Sequence, residues 1–347
     1  MPPRVQSRCQ PHTTTTSPAG HGQCLCLLRC AGIGLSASLL LAAEAPIVPP
    51  DDTPNPSWDW SARLQVGGAW IRSDDRLQPD LGPARLDKLS ASAPARSEVQ
   101  AMLCGRVALH CGTDGPTVFA ELPLEESGIA VGLDYPSTVG SLSLAGFVGF
   151  AEAVWEQPYL VDQHRQETDR QALGIDLGWQ AINGGPLDLH WRLRQVTVDD
   201  DLIGQLQPAL ARDGQQQTLT LSGTWQMAGW RWQPRLEGCH SDLEGRAASA
   251  EGLTAGLRLT TAAGGLIWSF DAAYGFARHQ ARHPLFDDRR RDRQYQAVLS
   301  ATWPTVADWP GVSLTVLVGH AGTASNLDFY DQDSLLAGLL IGYAVGP

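Results

Sequence analysis

A two-residue period of apolar and polar side chains, repeated along most of the chain without a sustained helical period, constrains this sequence more than anything else in it. In the last stretch Val312, Leu314, Val316 and Val318 alternate with Ser313, Thr315 and Gly319. After the polar segment Ser325–Asp331, Leu335, Ala337, Leu339, Ile341 and Tyr343 alternate with Ser334, Gly338 and Gly342. Successive side chains of a strand point to opposite faces, so each segment has one apolar face and one small or polar face. Upstream, Leu219, Leu221, Gly223 and Trp225 stand against Thr218, Thr220, Ser222 and Thr224. Leu173 to Trp179 and Leu187 to Leu193 follow the same rule.

Strand patterns are predicted near 63–71, 97–110, 117–124, 128–135, 139–152, 170–181, 186–198, 216–228, 229–239, 249–262, 265–278, 293–303, 311–321 and 334–345. Their connections alternate in length. Short Gly- or Pro-rich turns, such as Asn183-Gly184-Gly185-Pro186, follow 110, 135, 181, 228, 262 and 303. Long polar connections span 72–96, 153–169, 199–215, 279–292 and 322–333, with Glu125–Gly128 a short exception. This asymmetry predicts an all-β fold, an antiparallel transmembrane β-barrel of about fourteen strands with both termini on the short-turn side. The first two patterns are the weakest, and twelve strands result if they drop out. A soluble β-sandwich is the competing architecture, but it rarely needs so many strands with one unbroken apolar face.

The chain opens differently. Residues 1–28 lack periodicity and read as an unstructured leader. Residues 29–45 place Arg29 and then Cys30 ahead of an apolar run ending at Leu41, with small residues to Ala45, the pattern of a signal peptide. A short buried helix is the alternative. A Pro-rich linker spans 46–60, and the barrel domain is assigned to 61–347. The mature protein is expected to begin near Glu44 or Pro46. Cys30 precedes the apolar run, against a lipoprotein cleavage site.

With 347 residues and a formal charge of −12, the chain lacks the basic face of a nucleic-acid binder. Its 7 cysteines are an odd number, four of them within the first thirty residues, so no disulfide framework is expected. Cys24 and Cys26 lack the spacing of a zinc site. No metal and no cofactor is expected.

Trp179, Trp225, Trp230, Trp268, Trp303 and Trp309 all fall beside short turns, where an aromatic belt would meet lipid headgroups. Trp155, Tyr159, Tyr274, Phe276 and Tyr295 are expected to form the second belt near the long loops. Charge is expected on the lumen face, because it is costly against lipid. Arg192, Arg194, Arg231, Arg235 and Arg258 are predicted to form an inward basic band, with Asp176 and Asp271, along with Asp188 and Glu237, on the same face. The band attracts anions if a path is open; pairing with those carboxylates closes it.

The polar loops carry further motifs: Val154–Tyr159, Glu167-Thr168-Asp169-Arg170, Val198-Asp199-Asp200-Asp201, Arg212–Gly214, His283–Arg289 (with Asp287) and Ser325-Asn326-Leu327-Asp328-Phe329-Tyr330-Asp331. In this order, across about residues 125–345, the chain resembles a Gram-negative outer-membrane β-barrel family known only as a domain of unknown function. The resemblance implies location in the bacterial outer membrane and the barrel fold, with no activity or catalytic residue to carry over. Members usually end in an aromatic residue, whereas this chain ends Tyr343-Ala344-Val345-Gly346-Pro347. Lipid of the outer membrane, the barrel-assembly machinery and small solutes are the expected partners.

Ser325 with His283 or His320, and the carboxylates Asp199, Asp328 and Asp331, are the rim residues an enzyme would draw on. Their spacing sets no dyad or triad apart, so no catalytic residue is assigned. The loop aspartates read as solvated turns, with a calcium site the alternative. A passive channel or transporter for small polar or anionic solutes leads. A surface scaffold acting through its loops comes second, and an enzyme third.

Overall fold

A computed structural model of the chain describes residues 58–346, apart from 90–93, 113–114, 124–127, 138–139, 182–186 and 307–308. The expected leader, signal peptide and residues 46–57 of the linker lie outside these, as do the tips of the Glu125 and Asn183 turns.

The strands are β1 (Trp58–Ser73), β2 (Arg96–Cys111), β3 (Thr117–Leu122), β4 (Gly128–Ser137), β5 (Gly140–Gly149), β6 (Glu152–Trp155), β7 (Glu167–Ala181) and β8 (Leu187–Val198). They continue as β9 (Gly214–Gly223), β10 (Trp225–Met227), β11 (Trp230–Leu243), β12 (Ala250–Ala263), β13 (Leu266–His279), β14 (Arg291–Trp303), β15 (Val312–Ser325) and β16 (Gln332–Val345). Each pairs antiparallel with its neighbours, and β16 returns to β1 over a register from Ser73↔Ser334 to Ala62↔Val345. Segments β5 and β6 both pair with β7, and β9 and β10 both pair with β11, so each couple is one interrupted strand. The sheet is therefore a closed barrel of fourteen strands, as the alternation predicts. The two weakest patterns became two of its longest strands, and β1 begins at Trp58, inside the stretch assigned to the linker.

Two turns show why the short end is tight. Ala228 and Gly229 have φ of 53° and 77°, and Gly264 and Gly265 have 64° and 76°. Positive φ at both central residues matches the turn to the strand twist, and glycine adopts it without a Cβ clash.

The outward face is apolar around the barrel: Val66, Val107, Val131, Leu144, Leu173, Leu221, Leu253, Val318 and Ile341 are all exposed. At the short-turn end Trp58, Trp60, Trp225, Trp230, Trp268, Trp303 and Trp309 are exposed as well. An apolar band with an aromatic rim on a closed antiparallel barrel is the exterior of a Gram-negative outer-membrane protein. Among the described residues no helix is long and apolar enough to cross a membrane, a test that does not bear on crossing by strands.

The second aromatic belt needs correction. Tyr274 and Phe276 are 46% and 55% exposed, facing outward. Trp155 is 2% exposed and Tyr159 packs inside a loop cluster. The loop after Trp155 folds back over the mouth, so Trp155 lies under Arg165 of that loop and Tyr159 packs against rings of two other loops.

Candidate functional site

The inner face divides into an apolar and a charged side. On β15, β16, β1 and β2, Leu317, Leu340, Ala69, Ile71 and Met102 pack against Leu81 from the β1–β2 loop. That loop therefore dips into the barrel and fills part of it. On the opposite wall the inner faces of β7, β8, β11, β12 and β13 carry Asp176, Arg192, Arg194, Arg235, Glu237, Arg258 and Asp271 among small and polar residues, and there a cavity of about 1480 Å³ remains.

Two arginine–aspartate clusters line that wall. Arg194 grips Asp176 with both terminal nitrogens, at 2.7 and 3.0 Å, while Arg192 Nε lies 3.5 Å from the same carboxylate. The Arg194 guanidinium stacks 4.1 Å from the Phe147 ring centroid, and the residue is 2% exposed. In the second cluster Asp271, fully buried, accepts from Arg235 at 2.9 and 3.0 Å, lies 3.0 Å from Arg258, and accepts from Gln296 at 3.3 Å. Bidentate charge-assisted bonds of this kind are strong and fix geometry.

Glycines make both grips possible. Arg235 starts on β11 and must cross β12 to reach β13. Its register partner on β12 is Gly256, where a Cβ would stand 2.8 Å from Arg235 Nε. Gly174, opposite Arg194, plays the same part: a Cβ there would meet Arg194 Cδ at 2.7 Å. Neither glycine stands out in the sequence, because a glycine on the inner face of a strand reads as one more small residue.

Arg231 stands apart. It faces inward near the short turns, opposite Gln226 and Thr260. Four residues separate it from Arg235, roughly 13 Å along the strand. The predicted single basic band is therefore two clusters plus a separate arginine. The pairing also differs from a closed plug. Each carboxylate binds arginines one or two strands away, so the guanidiniums lie along the wall instead of across the lumen. Glu237, on β11 near Arg235, and Glu121, on β3 and 3.5 Å from Arg106, also lie within electrostatic range of Arg192.

The long loops form a cap over this cavity. Arg165, fully buried, donates to the carbonyls of Arg76 (2.8 Å), Pro158 (3.1 Å) and Pro83, and lies 4.1 Å over the Trp155 ring. It thereby ties the β6–β7 loop to the β1–β2 loop. Burial, reinforced by Arg96, brings its pKa down to about 10. Beside it Tyr159, His283, Phe286, Phe329 and Tyr330 make a cluster of mostly edge-on rings. His283 Nδ1 accepts from the Leu285 N–H at 3.3 Å, which places the ring proton on Nε2 facing the Tyr330 hydroxyl at 2.9 Å. Tyr330 in turn meets the Tyr159 hydroxyl at 2.5 Å. Burial raises the pKa of both tyrosines.

The remaining loop residues hold the cap to the rim. Asp201 takes Arg212 at 2.6 and 2.9 Å. Arg170 reaches Glu152 at 3.6 Å. The Asp199 N–H donates to the Asp169 carbonyl at 2.8 Å, and the Asp199 carbonyl accepts from Thr168, next to exposed Glu167. Asp200 and Asp287 occupy tight turns at φ 46° and 50°. Asn326 donates to Asp288 at 2.9 Å and to the Arg289 carbonyl at 3.1 Å, and Asp331 accepts from the Ser325 N–H at 2.6 Å. Asp328 is exposed at the start of a 3-10 turn. His320 is apart from His283, outside the barrel, 2.5 Å from Asp333. Among the described residues no three His, Cys, Asp or Glu side chains converge as a metal site would require.

Sequence reasoning did not single out Arg165 or Arg290. The latter's guanidinium sits 3.6 Å over the Tyr330 ring while pairing with Asp292 at 2.7 Å. The contacts of Arg165 join loops 89 residues apart, and no local pattern announces such a partner.

The chain is similar to solved structures at low identity. An outer membrane protein of Vibrio cholerae, OmpT lacking loop L8, is 8% identical with a TM-score of 0.41, covering 83% of this chain and 99% of that one. An anion-selective porin from Comamonas acidovorans is 10% identical with a TM-score of 0.39, covering 83% and 99%. A Pseudomonas aeruginosa FadL homologue is 10% identical with a TM-score of 0.41, covering 83% and 90%. No curated protein matches the chain. The family described as protein of unknown function DUF2860 matches residues 59–344, and the chain belongs to it.

Proposed function

We propose that this barrel is a passive outer-membrane channel for small polar solutes with a weak preference for anions. The cavity along the charged wall carries the reading. It extends from Tyr330 under the cap to Thr224 and Gln233 near the short turns, most of the barrel's height. Each cluster sets two guanidiniums against one carboxylate, a surplus of basic groups at this level. Glu237 and Glu121 offset part of that surplus, so both signs meet a solute at this level and only modest selectivity follows.

Arg192 is the residue to test, because it lines the cavity and its side chain is 27% exposed, whereas Arg194 is buried beneath Phe147. In planar bilayers the parent should conduct, with anion permeability above cation permeability. Arg192→Glu should reverse that order. Absence of conductance in the parent would reject the channel. The packed cap favours a second reading in that event, a surface scaffold whose loops present a fixed face to a partner.

A further inference from the structure

The outward face carries a cluster of arginines that the channel does not use. Arg278 on β13 and Arg291 on β14 are direct cross-strand partners, and Arg293 lies opposite Phe276 one step nearer the membrane. All three are exposed and face outward. Like charges directly opposite one another on a sheet repel. Among the described residues no carboxylate lies within ion-pair distance of their guanidiniums. Glu251, the other cross-strand partner of Arg278, instead approaches His240 at 3.6 Å. The sheet thus holds three positive charges together without an ion pair to any of them among the described residues.

Their height is informative. Tyr274 and Phe276, edge to face at 5.1 Å, and Tyr295, the partner of Tyr274, lie directly below. Trp268 marks the opposite aromatic rim on the same strand as Arg278. Ten residues at about 3.3 Å, tilted by about 40°, span roughly 25 Å, which is the height of the apolar band of an outer-membrane barrel. The arginines therefore emerge at the edge of the hydrocarbon, on the long-loop side, at the level of lipid headgroups.

We propose that Arg278, Arg291 and Arg293 form a binding site for a phosphate-bearing lipid headgroup in the outer leaflet. A guanidinium matches two phosphate oxygens in its plane, and three of them around one site suit a headgroup with more than one phosphate. The aromatic rings beneath would pack on the first part of the acyl chains. The site depends on the membrane location of the barrel and not on whether its lumen conducts.

The test is lipid-dependent thermal stability, read as the heat-induced loss of the compact gel form in mixed micelles. The probes are a diphosphorylated glucosamine glycolipid, the same lipid after enzymatic dephosphorylation, and inorganic phosphate. The first should raise the midpoint of the parent; the other two should not. Arg278→Gln/Arg291→Gln/Arg293→Gln should abolish the shift and weaken binding of the phosphorylated lipid by on the order of 100-fold. It should fold in plain detergent at least as well as the parent, since the repulsion is gone. Arg72→Gln, an outward arginine on β1, should keep the full shift. Equal shifts in parent and triple variant, or a shift that survives dephosphorylation, would overturn the site. Equal protection by inorganic phosphate would replace the lipid with a free anion and also overturn it.

Discussion

Asp271→Asn is the perturbation that most directly probes the charged wall. The substitution preserves shape and removes one negative charge from a fully buried position shared by Arg235 and Arg258. Removing one partner from a buried ion pair costs about 3–5 kcal/mol, because the remaining charge is left without compensation. Here two guanidiniums lose the same carboxylate, so the upper end of that range applies. Reversible urea unfolding from lipid vesicles at neutral pH, followed by tryptophan fluorescence, measures it. Adding Arg258→Gln should recover at least 1 kcal/mol, since one stranded charge disappears with the other partner. Gly256→Val should destabilise by a different route, blocking the path of Arg235 across β12. If Asp271→Asn unfolds within about 0.5 kcal/mol of the parent, a shift typical of neutral surface changes, the cluster does not hold the wall and the reasoning fails.

Arg165→Ala should free the β1–β2 loop, because three carbonyls lose a buried cationic donor. A loss of about 3 kcal/mol predicts tryptic cleavage at Arg76 or Lys88 roughly 100-fold faster with the barrel intact, and an unchanged rate would contradict the tie. His283 brings pH into the cap. Burial, with help from Arg290 and His279, lowers its pKa from 6.5 to about 4, so the folded cap holds it neutral. Its contribution is complete above pH 6.5, declines as the open form takes up a proton below that, and is gone by about pH 4. The difference, 6.5 minus 4, corresponds to about 3 kcal/mol favouring opening in acid, and His283→Gln should flatten the pH profile of loop proteolysis. Cys239 faces the cavity from β11. In a variant with the other six cysteines replaced by Ser, it should react with a water-soluble methanethiosulfonate and lower the conductance; inertness would mean water does not reach it.

The strands were legible because a barrel stave shows its two environments at every second residue. Leu189, Trp191 and Leu193 against His190, Arg192 and Arg194 fix both the strand and its orientation, since a one-residue slip would put two arginines into lipid. The interruption after Gly223 was not legible, because the register with β11 is the same on both sides of it and the alternation runs straight through. The one after Gly149 inserts one residue opposite β7, but the four-residue segment beyond it is too short to show the change of face. The cap was harder still. Trp155 and Tyr159 read as belt residues, for an aromatic ring near a strand end looks alike in sequence whether it meets lipid or another loop. The grouping of Tyr159, His283 and Tyr330 depends on how three loops fold inward. That is decided by packing between segments 47 to 171 residues apart, which leaves no trace in either period.

The seam between β1 and β16 sets the order in which this molecule can come into existence. Twelve register pairs join the first strand to the last. Until they form, the nascent sheet has two open edges whose amides and carbonyls are unmatched, in a hydrocarbon layer where each one is costly. Local hairpins can assemble as soon as their turns do, but none of them completes the wall. The final strand is the keystone of the ring: every earlier stave waits on its arrival, and an incomplete chain is a template for joining its neighbours. Substitutions along that seam should therefore lower the yield of inserted protein more than its stability once closed.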